Sequence, residues 1–386
     1  MSTSIFSDNE ALEQWVDTIW QKVERKLSRT APSVGDGLFP YTTTDGKFTN
    51  PYDKELPYWW TDGFWVGILW KMYEATGNSM YQEYANRLED KLDAVIEDFQ
   101  TLHHDVGFMW LLSSVANYRL TGNQKSKIRG LHMASTLAGR FNINGNYIRA
   151  WNSNPDGSGD NSGLAIIDSM MNIPLLYWAT KETKDPRFKS IAMRHADTLM
   201  EYAIRPDGSV KHIMEFHPET GEYIGNVTGQ SFAVDASWTR GQSWALYGFT
   251  LSYIHTGKQE YLDTAKKVAH YFIANLAEDP VPPCDFRSPE EPAYKDTTAG
   301  MCAACGLLEL ANIVPEYEKK LYRNAALRIL KATEERYCDW SDTEDSIVQY
   351  GTEAYHFGEK NIPIIYADYY FIEAILKLKG DSTLFW

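Results

Sequence analysis

Cysteine, surplus positive charge and long apolar runs are all scarce in this chain of 386 residues. The four cysteines, Cys284, Cys302, Cys305 and Cys338, are too few and too late in the sequence for a disulfide framework, so they read as reduced core thiols. Cys302-Ala303-Ala304-Cys305 is a CxxC pair, but a metal or redox reading needs a second pair or suitably spaced histidines, and neither is there. A formal net charge of −15 argues against a protein that coats nucleic acid or another polyanion, because such binding rests on basic patches. A small anion is not excluded, since one buried arginine can hold a carboxylate bidentately. No run of about 18 apolar residues offers a membrane span, and Met1 to Trp20 has no basic segment leading into an apolar one. The expectation is a soluble, cytoplasmic protein with no nucleic-acid or membrane partner.

What the chain has in abundance is aromatic surface. Its 13 tryptophans and 24 tyrosines can fill a large core, or they can line a sugar cleft, where C–H faces of a pyranose pack on flat rings. One apolar stretch, Leu164 to Leu176, carries a single carboxylate, Asp168, in what reads as a buried helix. An acid there must be paired, hydrogen-bonded or held protonated, and a protonated acid in an apolar wall is a candidate proton donor. The plainer alternative is that Asp168 caps the helix or bonds nearby backbone. Pro174 is expected to kink the same helix.

A turn followed by an amphipathic helix recurs. Thr76-Gly77-Asn78-Ser79, Thr121-Gly122-Asn123-Gln124, Thr183-Lys184-Asp185-Pro186 and Thr256-Gly257-Lys258-Gln259 each end one helix and open another. A weaker copy starts at Val314-Pro315-Glu316-Tyr317. Helices are expected at about 10–28, 60–75, 79–98, 104–120, 125–140, 162–181, 187–203, 238–255, 259–275, 297–313, 317–338 and 364–379. Paired as hairpins they make an all-α, (α/α)6 barrel, read as one domain over residues 1–386. An open superhelix is the competing arrangement.

Alternate helices open with unusual residues: Trp59-Trp60-Thr61-Asp62, His103-His104-Asp105, Ile167-Asp168, Trp238-Thr239-Arg240, Asp296-Thr297 and Ala367-Asp368. In a ring of hairpins these starts share one mouth, where helix dipoles favour an anionic ligand. Helix capping would account for Asp296 and Asp368 but leaves the tryptophans and arginine without a reason. Two long connections, Arg149 to Ser162 and Pro206 to Ser237, fall at the same mouth, and His217 to Tyr223 reads as a β-hairpin within the second.

Trp60-Thr61-Asp62-Gly63-Phe64-Trp65, His103-His104-Asp105-Val106-Gly107-Phe108, Ile166-Ile167-Asp168, Trp238-Thr239-Arg240-Gly241-Gln242-Ser243-Trp244 and Asp368-Tyr369-Tyr370 together resemble the unsaturated glucuronyl hydrolases, glycoside hydrolase family 88. The likeness runs from about Trp59 to Gly380, and the family's fold is the (α/α)6 barrel. The resemblance implies that Asp168 is the general acid and base, and that Asp105 is a second essential carboxylate beside His104. It places Trp60 and Trp151 on the sugar. His212, Gln230, Arg240 and Trp244 match positions that contact the unsaturated uronate, with Arg240 on its carboxylate. The implied partner is an oligosaccharide left by a polysaccharide lyase, ending in a 4,5-unsaturated uronate, and the protein is implied to act without cofactor or metal, as a monomer or weak homo-oligomer.

Three departures from the family concern the leaving-sugar side. Gly229 stands where better-known members carry His or Arg, Glu353 to Lys360 lacks the serine pair some members use for sulfate, and Cys284 replaces an aromatic. They argue against a sulfated substrate. The competing readings are an unsaturated rhamnogalacturonyl hydrolase of the same fold, a sugar 2-epimerase using His104 and His212, and a carbohydrate-binding ring with no catalysis.

Overall fold

The computed structural model describes residue 6 and residues 8–52, 56–154, 159–276, 279–380 and 383–386. The first helix, α1 (Asn9–Val34), leads to a short hairpin of β1 (Thr42–Thr44) and β2 (Lys47–Thr49). Then come α2 (Asp62–Thr76), α3 (Ser79–Lys91), the short α4 (Asp93–Glu97), α5 (Val106–Trp110), α6 (Ala116–Thr121) and α7 (Gln124–Gly139). Strands β3 (Phe141–Asn142), β4 (Tyr147–Ile148) and β5 (Leu164–Ile166) precede α8 (Pro174–Thr183) and α9 (Pro186–Tyr202). After β6 (Ile213–Phe216) and β7 (Tyr223–Val227), the chain is helical in α10 (Thr239–Thr256), α11 (Gln259–Ala274), α12 (Thr297–Ile313), α13 (Glu316–Tyr337) and α14 (Ile365–Lys379).

The inner helices are buried nearly all round. Every residue of α10 from Thr239 to Ser252 and of α14 from Ile365 to Leu376 is buried, as suits helices enclosed on all sides. The outer helices bury one stripe instead, such as Phe188, Ala192, Ala196 and Leu199 on α9. Inside, α2 packs on α14, α14 on α12, α12 on α10, and α10 on α8 and the turn before it; α5 and α6 return to α2 and close the ring. Outside, α3, α7, α9, α11 and α13 each cover the inner helix next to them in sequence, while α1 covers α14, so the first and last helices make the sixth pair. The expected (α/α)6 barrel is what forms. Its turns work as read: Gly77, Gly122 and Gly257 have left-handed φ of 68°, 76° and 70°, and Lys184 takes the same conformation at 63°.

The stretch around Asp168 corrects the expectation of a helix over 162–181. Leu164–Ile166 is a strand, paired antiparallel with β6, and Ile167–Met171 is a 3-10 turn; helix begins only at Pro174. An uninterrupted apolar run does not distinguish a buried strand from a buried helix, and here the ladder to β6 decides. Pro174 therefore kinks nothing: it sits at the first helical position, where its missing N–H costs no bond. The expected 79–98 helix divides at Leu92, and the expected 104–120 helix contains a π-helical turn, Leu111–Val115, where the Ser113 hydroxyl bonds the Met109 carbonyl at 2.7 Å. The predicted hairpin at His217–Tyr223 is the β6–β7 turn.

Asp296 caps α12 by accepting from the Thr298 amide, as expected. Asp368 does not cap α14. It lies inside the first turn and accepts from the Ile347 and Val348 amides, fastening a loop to the helix. At the barrel's axis Trp386 is wholly buried, with its ring parallel to Tyr370 and its indole N–H donating to Glu373 at 2.9 Å.

Candidate active site

The starts of the inner helices surround a cavity of about 430 Å³. Its lining includes seven of the nine residues singled out from the sequence: Trp60, His104, Asp105, Trp151, Asp168, Gln230 and Arg240. The other two stand behind this wall. His212 places Nε2 3.9 Å from Asp168 Oδ1, and Trp244 is fully buried against Phe108. Pro155 to Ser158, in the long connection after Trp151, lie outside the described residues.

Asp168 projects from the 3-10 turn at the end of β5, and among the described residues no hydrogen bond reaches its Oδ1. Burial raises its pKa from 3.8 to about 7, against the opposing pull of the Arg240 charge, its own amide and the Trp244 side chain. Asp105 opens α5 without capping it. Burial lifts its carboxyl well above the usual range, and the neighbouring Asp168 charge adds to this.

One residue connects the two acids. Asn172 donates to Asp105 Oδ1 at 3.1 Å and to the Asp168 carbonyl at 3.3 Å, while its own Oδ1 accepts from the Phe108 amide at 2.7 Å. This contact requires Gly107: a β-carbon there would stand 2.4 Å from the Asn172 Cα. Sequence reasoning passed over Asn172, although a lone amide in an apolar run was a visible signal.

His103 Nδ1 and His104 Nε2 both stand 3.4 Å from Asp105 Oδ2. Burial lowers the His103 pKa to about 4 and holds that of His104 well below its ordinary value, so both rings are neutral near pH 7. Ligand atoms of His103, His104 and Asp105 lie within 4.8 Å of one another, so among the described residues these are the donors that could accept a metal ion. His212 is likewise neutral, its pKa lowered to about 3 by burial and by Arg240, and its ring lies 4.3 Å from that of Trp238. Gly229 has its reason here, since a β-carbon would meet the His212 ring at 2.8 Å.

Arg240 is anchored through one edge. Its Nη1 donates to Asp296 at 2.9 Å and to the Thr352 carbonyl at 2.7 Å, Nη2 donates to the Glu353 carbonyl at 2.7 Å, and the guanidinium lies over the Trp238 ring. Its Nε makes no hydrogen bond among the described residues. The result is a fixed cation at the cavity wall.

A buried acid with a raised pKa, a second carboxyl linked to it through Asn172 and a fixed cation in an aromatic cleft can together support acid catalysis on an anionic sugar. Comparison with known proteins identifies the family. The model of Glycosyl Hydrolase Family 88 matches residues 39–279. The chain belongs to that family.

Within family 88, the chain is 35% identical over 370 residues to the unsaturated glucuronyl hydrolase of Bacillus sp. strain GL1, covering 94% of both chains. It is 33% identical over 338 residues to the unsaturated chondroitin disaccharide hydrolase of Streptococcus pyogenes serotype M1, covering 85% of this chain and 83% of that one. The crystal structure of the Bacillus enzyme superposes with a TM-score of 0.86, covering 93% of this chain and 96% of that one. That of the Streptococcus agalactiae unsaturated glucuronyl hydrolase, 29% identical, gives 0.87 over 96% of this chain and 93% of that one. This family 88 chain is thus a glycoside hydrolase built on the barrel its helices predict.

The cleft also has walls that the motifs did not announce. Tyr41, Tyr52, Glu353, Phe357 and Tyr366 line it, beside Trp59. Glu353 is held on three sides: its Oε1 accepts from the Tyr41 and Tyr52 hydroxyls at 2.5 and 2.7 Å, and its Oε2 accepts from the Glu359 amide at 2.8 Å. Tyr52 in turn stacks on Trp59 with ring centres 4.1 Å apart.

Proposed function

We propose that this chain removes 4,5-unsaturated glucuronic acid from the non-reducing end of lyase-generated oligosaccharides by hydrating the C4–C5 double bond. The observation that carries the reading is Asp168, a buried acid poised to hold its proton up to about pH 7 beside a fixed cation. In the reaction Asp168 gives its proton to C4 and positive charge develops at C5. A water molecule adds its oxygen to C5 and returns a proton to the same carboxylate. The hemiketal then opens at the ring oxygen, and the hemiacetal formed at C1 releases the remaining saccharide as an alcohol. Asp105, kept protonated by burial and oriented by Asn172, serves as donor to the sugar together with His104. Arg240 and Gln230 hold the uronate carboxylate, His212 and Trp244 support the Asp168 side, and Trp60 and Trp151 pack on the sugar face. No step calls on a metal.

The leaving sugar is proposed to be unsulfated, because the clamped Glu353 carboxylate accepts hydrogen bonds from hydroxyls but opposes a second anion. The chain is proposed to work in the cytoplasm as a monomer or weak homo-oligomer, a location in keeping with four cysteines that remain free thiols. The test follows the ultraviolet absorbance of the conjugated double bond on matched unsaturated disaccharides with and without a sulfate on the leaving sugar. Wild type should clear the unsulfated compound at least about tenfold faster, a gap of about 1.4 kcal/mol, and Glu353→Gln should narrow it. Equal rates on both would overturn the proposed preference, and persistence of the signal on every uronate tested would overturn the function.

A further inference from the structure

The barrel holds one buried imidazole that no step of the reaction uses. His195, on the inward stripe of α9, is fully buried and does not line the cleft. Its Nδ1 accepts from the Ile148 amide at 2.9 Å, and its Nε2 lies 2.6 Å from the Ser169 hydroxyl, which is 2.5 Å from the Ile166 carbonyl. These partners settle the protons. A backbone amide can only donate, so Nδ1 carries the lone pair and Nε2 the hydrogen; Ser169 accepts it and passes its own hydrogen to Ile166. The chain Ile148 N–H, His195, Ser169, Ile166 C=O therefore runs in one direction with every group satisfied, which fixes it firmly in a dry interior.

Both ends of this chain hold a carboxylate carrier. Ile166 and Ser169 bracket Asp168 and define the turn on which it stands. Ile148 leads to Ala150, whose carbonyl accepts from the His104 amide at 3.1 Å and whose amide donates to the Leu164 carbonyl at 2.8 Å. The first bond holds the residue beside Asp105, and the second holds the strand that delivers Asp168. We infer that His195 is a positioning residue which, through Ser169, sets the Asp168 turn in register with the segment that carries Asp105. The inference rests on the proposal that Asp168 is the acid.

The test compares His195→Ala, His195→Asn, His195→Gln and Ser169→Ala on the unsaturated disaccharide that wild type clears, with melting temperature alongside kcat and KM. An asparagine Oδ1 can take the place of ring Nδ1, and a glutamine Nε2 that of ring Nε2, so Asn keeps only the Ile148 bond and Gln only the Ser169 bond. Because His195 is remote from the sugar, kcat should fall at least about 30-fold in His195→Ala and Ser169→Ala while KM stays within about threefold, in line with the roughly hundredfold cost of a small misplacement. Gln should recover kcat to within about fivefold of wild type; Asn should raise the melting temperature towards wild type without recovering kcat. A purely structural histidine would make kcat follow melting temperature across the series, and that result, or equal kcat in Asn and Gln, overturns the inference. Should His195→Ala not fold, the Asn and Gln pair decides alone. A wild type inactive on every unsaturated uronate would instead overturn the proposed function.

Discussion

Replacing Asp168 with asparagine should stabilise the protein at alkaline pH while removing its activity. The group titrates at 3.8 when unfolded and at about 7 when folded, a rise caused first by burial. Below about pH 4 both states hold the proton and the group contributes nothing to the pH dependence. Between about pH 4 and 7 the folded state holds more protons than the unfolded, so stability falls as pH rises, and above about pH 7 the fold bears the whole cost of an ionised, 14% exposed carboxylate. At about 1.4 kcal/mol for each unit, the shift is worth about 4 kcal/mol. Asparagine keeps the shape without the charge. Thermal unfolding of Asp168→Asn and wild type should give similar melting temperatures at about pH 4 and a variant about 5 °C higher at about pH 8, given the unfolding entropy of a chain this long. A difference of the same size at both pH values, or a variant that is less stable at about pH 8, would refute the claim that burial holds this proton.

If the proton is used in the reaction, kcat/KM of the wild type should decline above about pH 7, which a pH–rate profile on an unsaturated disaccharide would show. Asn172→Leu leaves both acids without their shared amide, and kcat should drop by about 10- to 100-fold in steady-state assays, with secondary structure by circular dichroism unchanged. Gly107→Ala puts a methyl group against the Asn172 backbone and should cost about 1–3 kcal/mol in denaturant unfolding, together with most of the activity.

The mouth of the barrel was legible because polar and aromatic residues recur at the starts of helices that are otherwise apolar, a pattern that core packing alone does not demand. Trp60, Asp105 and Arg240, far apart in sequence, arrive at one cavity for that reason, and Gln230 reaches it from the long connection before α10. The local form at Asp168 was hidden, because the run from Leu164 to Leu176 is apolar on every face and its ladder partner, Ile213–Phe216, lies far along the chain. In sequence nothing sets His195 apart from the rest of an outer helix, although it falls in line with Ala192, Ala196 and Leu199 on the buried stripe. In sequence Glu353 stands out only for the serines that its segment lacks. Its clamp depends on Tyr41 and Tyr52, which lie ahead of every motif and reach it only through ring closure.

The proposed role of Asp168 is to supply the proton that destroys the C4–C5 double bond. The most direct measurement follows the absorbance of that bond on an unsaturated glucuronyl disaccharide with an unsulfated leaving sugar, using wild type and the folded Asp168→Asn variant at about pH 6, where most of the wild-type carboxyl is protonated. Wild type should extinguish the signal, and the variant should leave it changing no faster than the enzyme-free control. A variant that clears the substrate within about tenfold of wild type, less than the usual worth of a general acid, would contradict it.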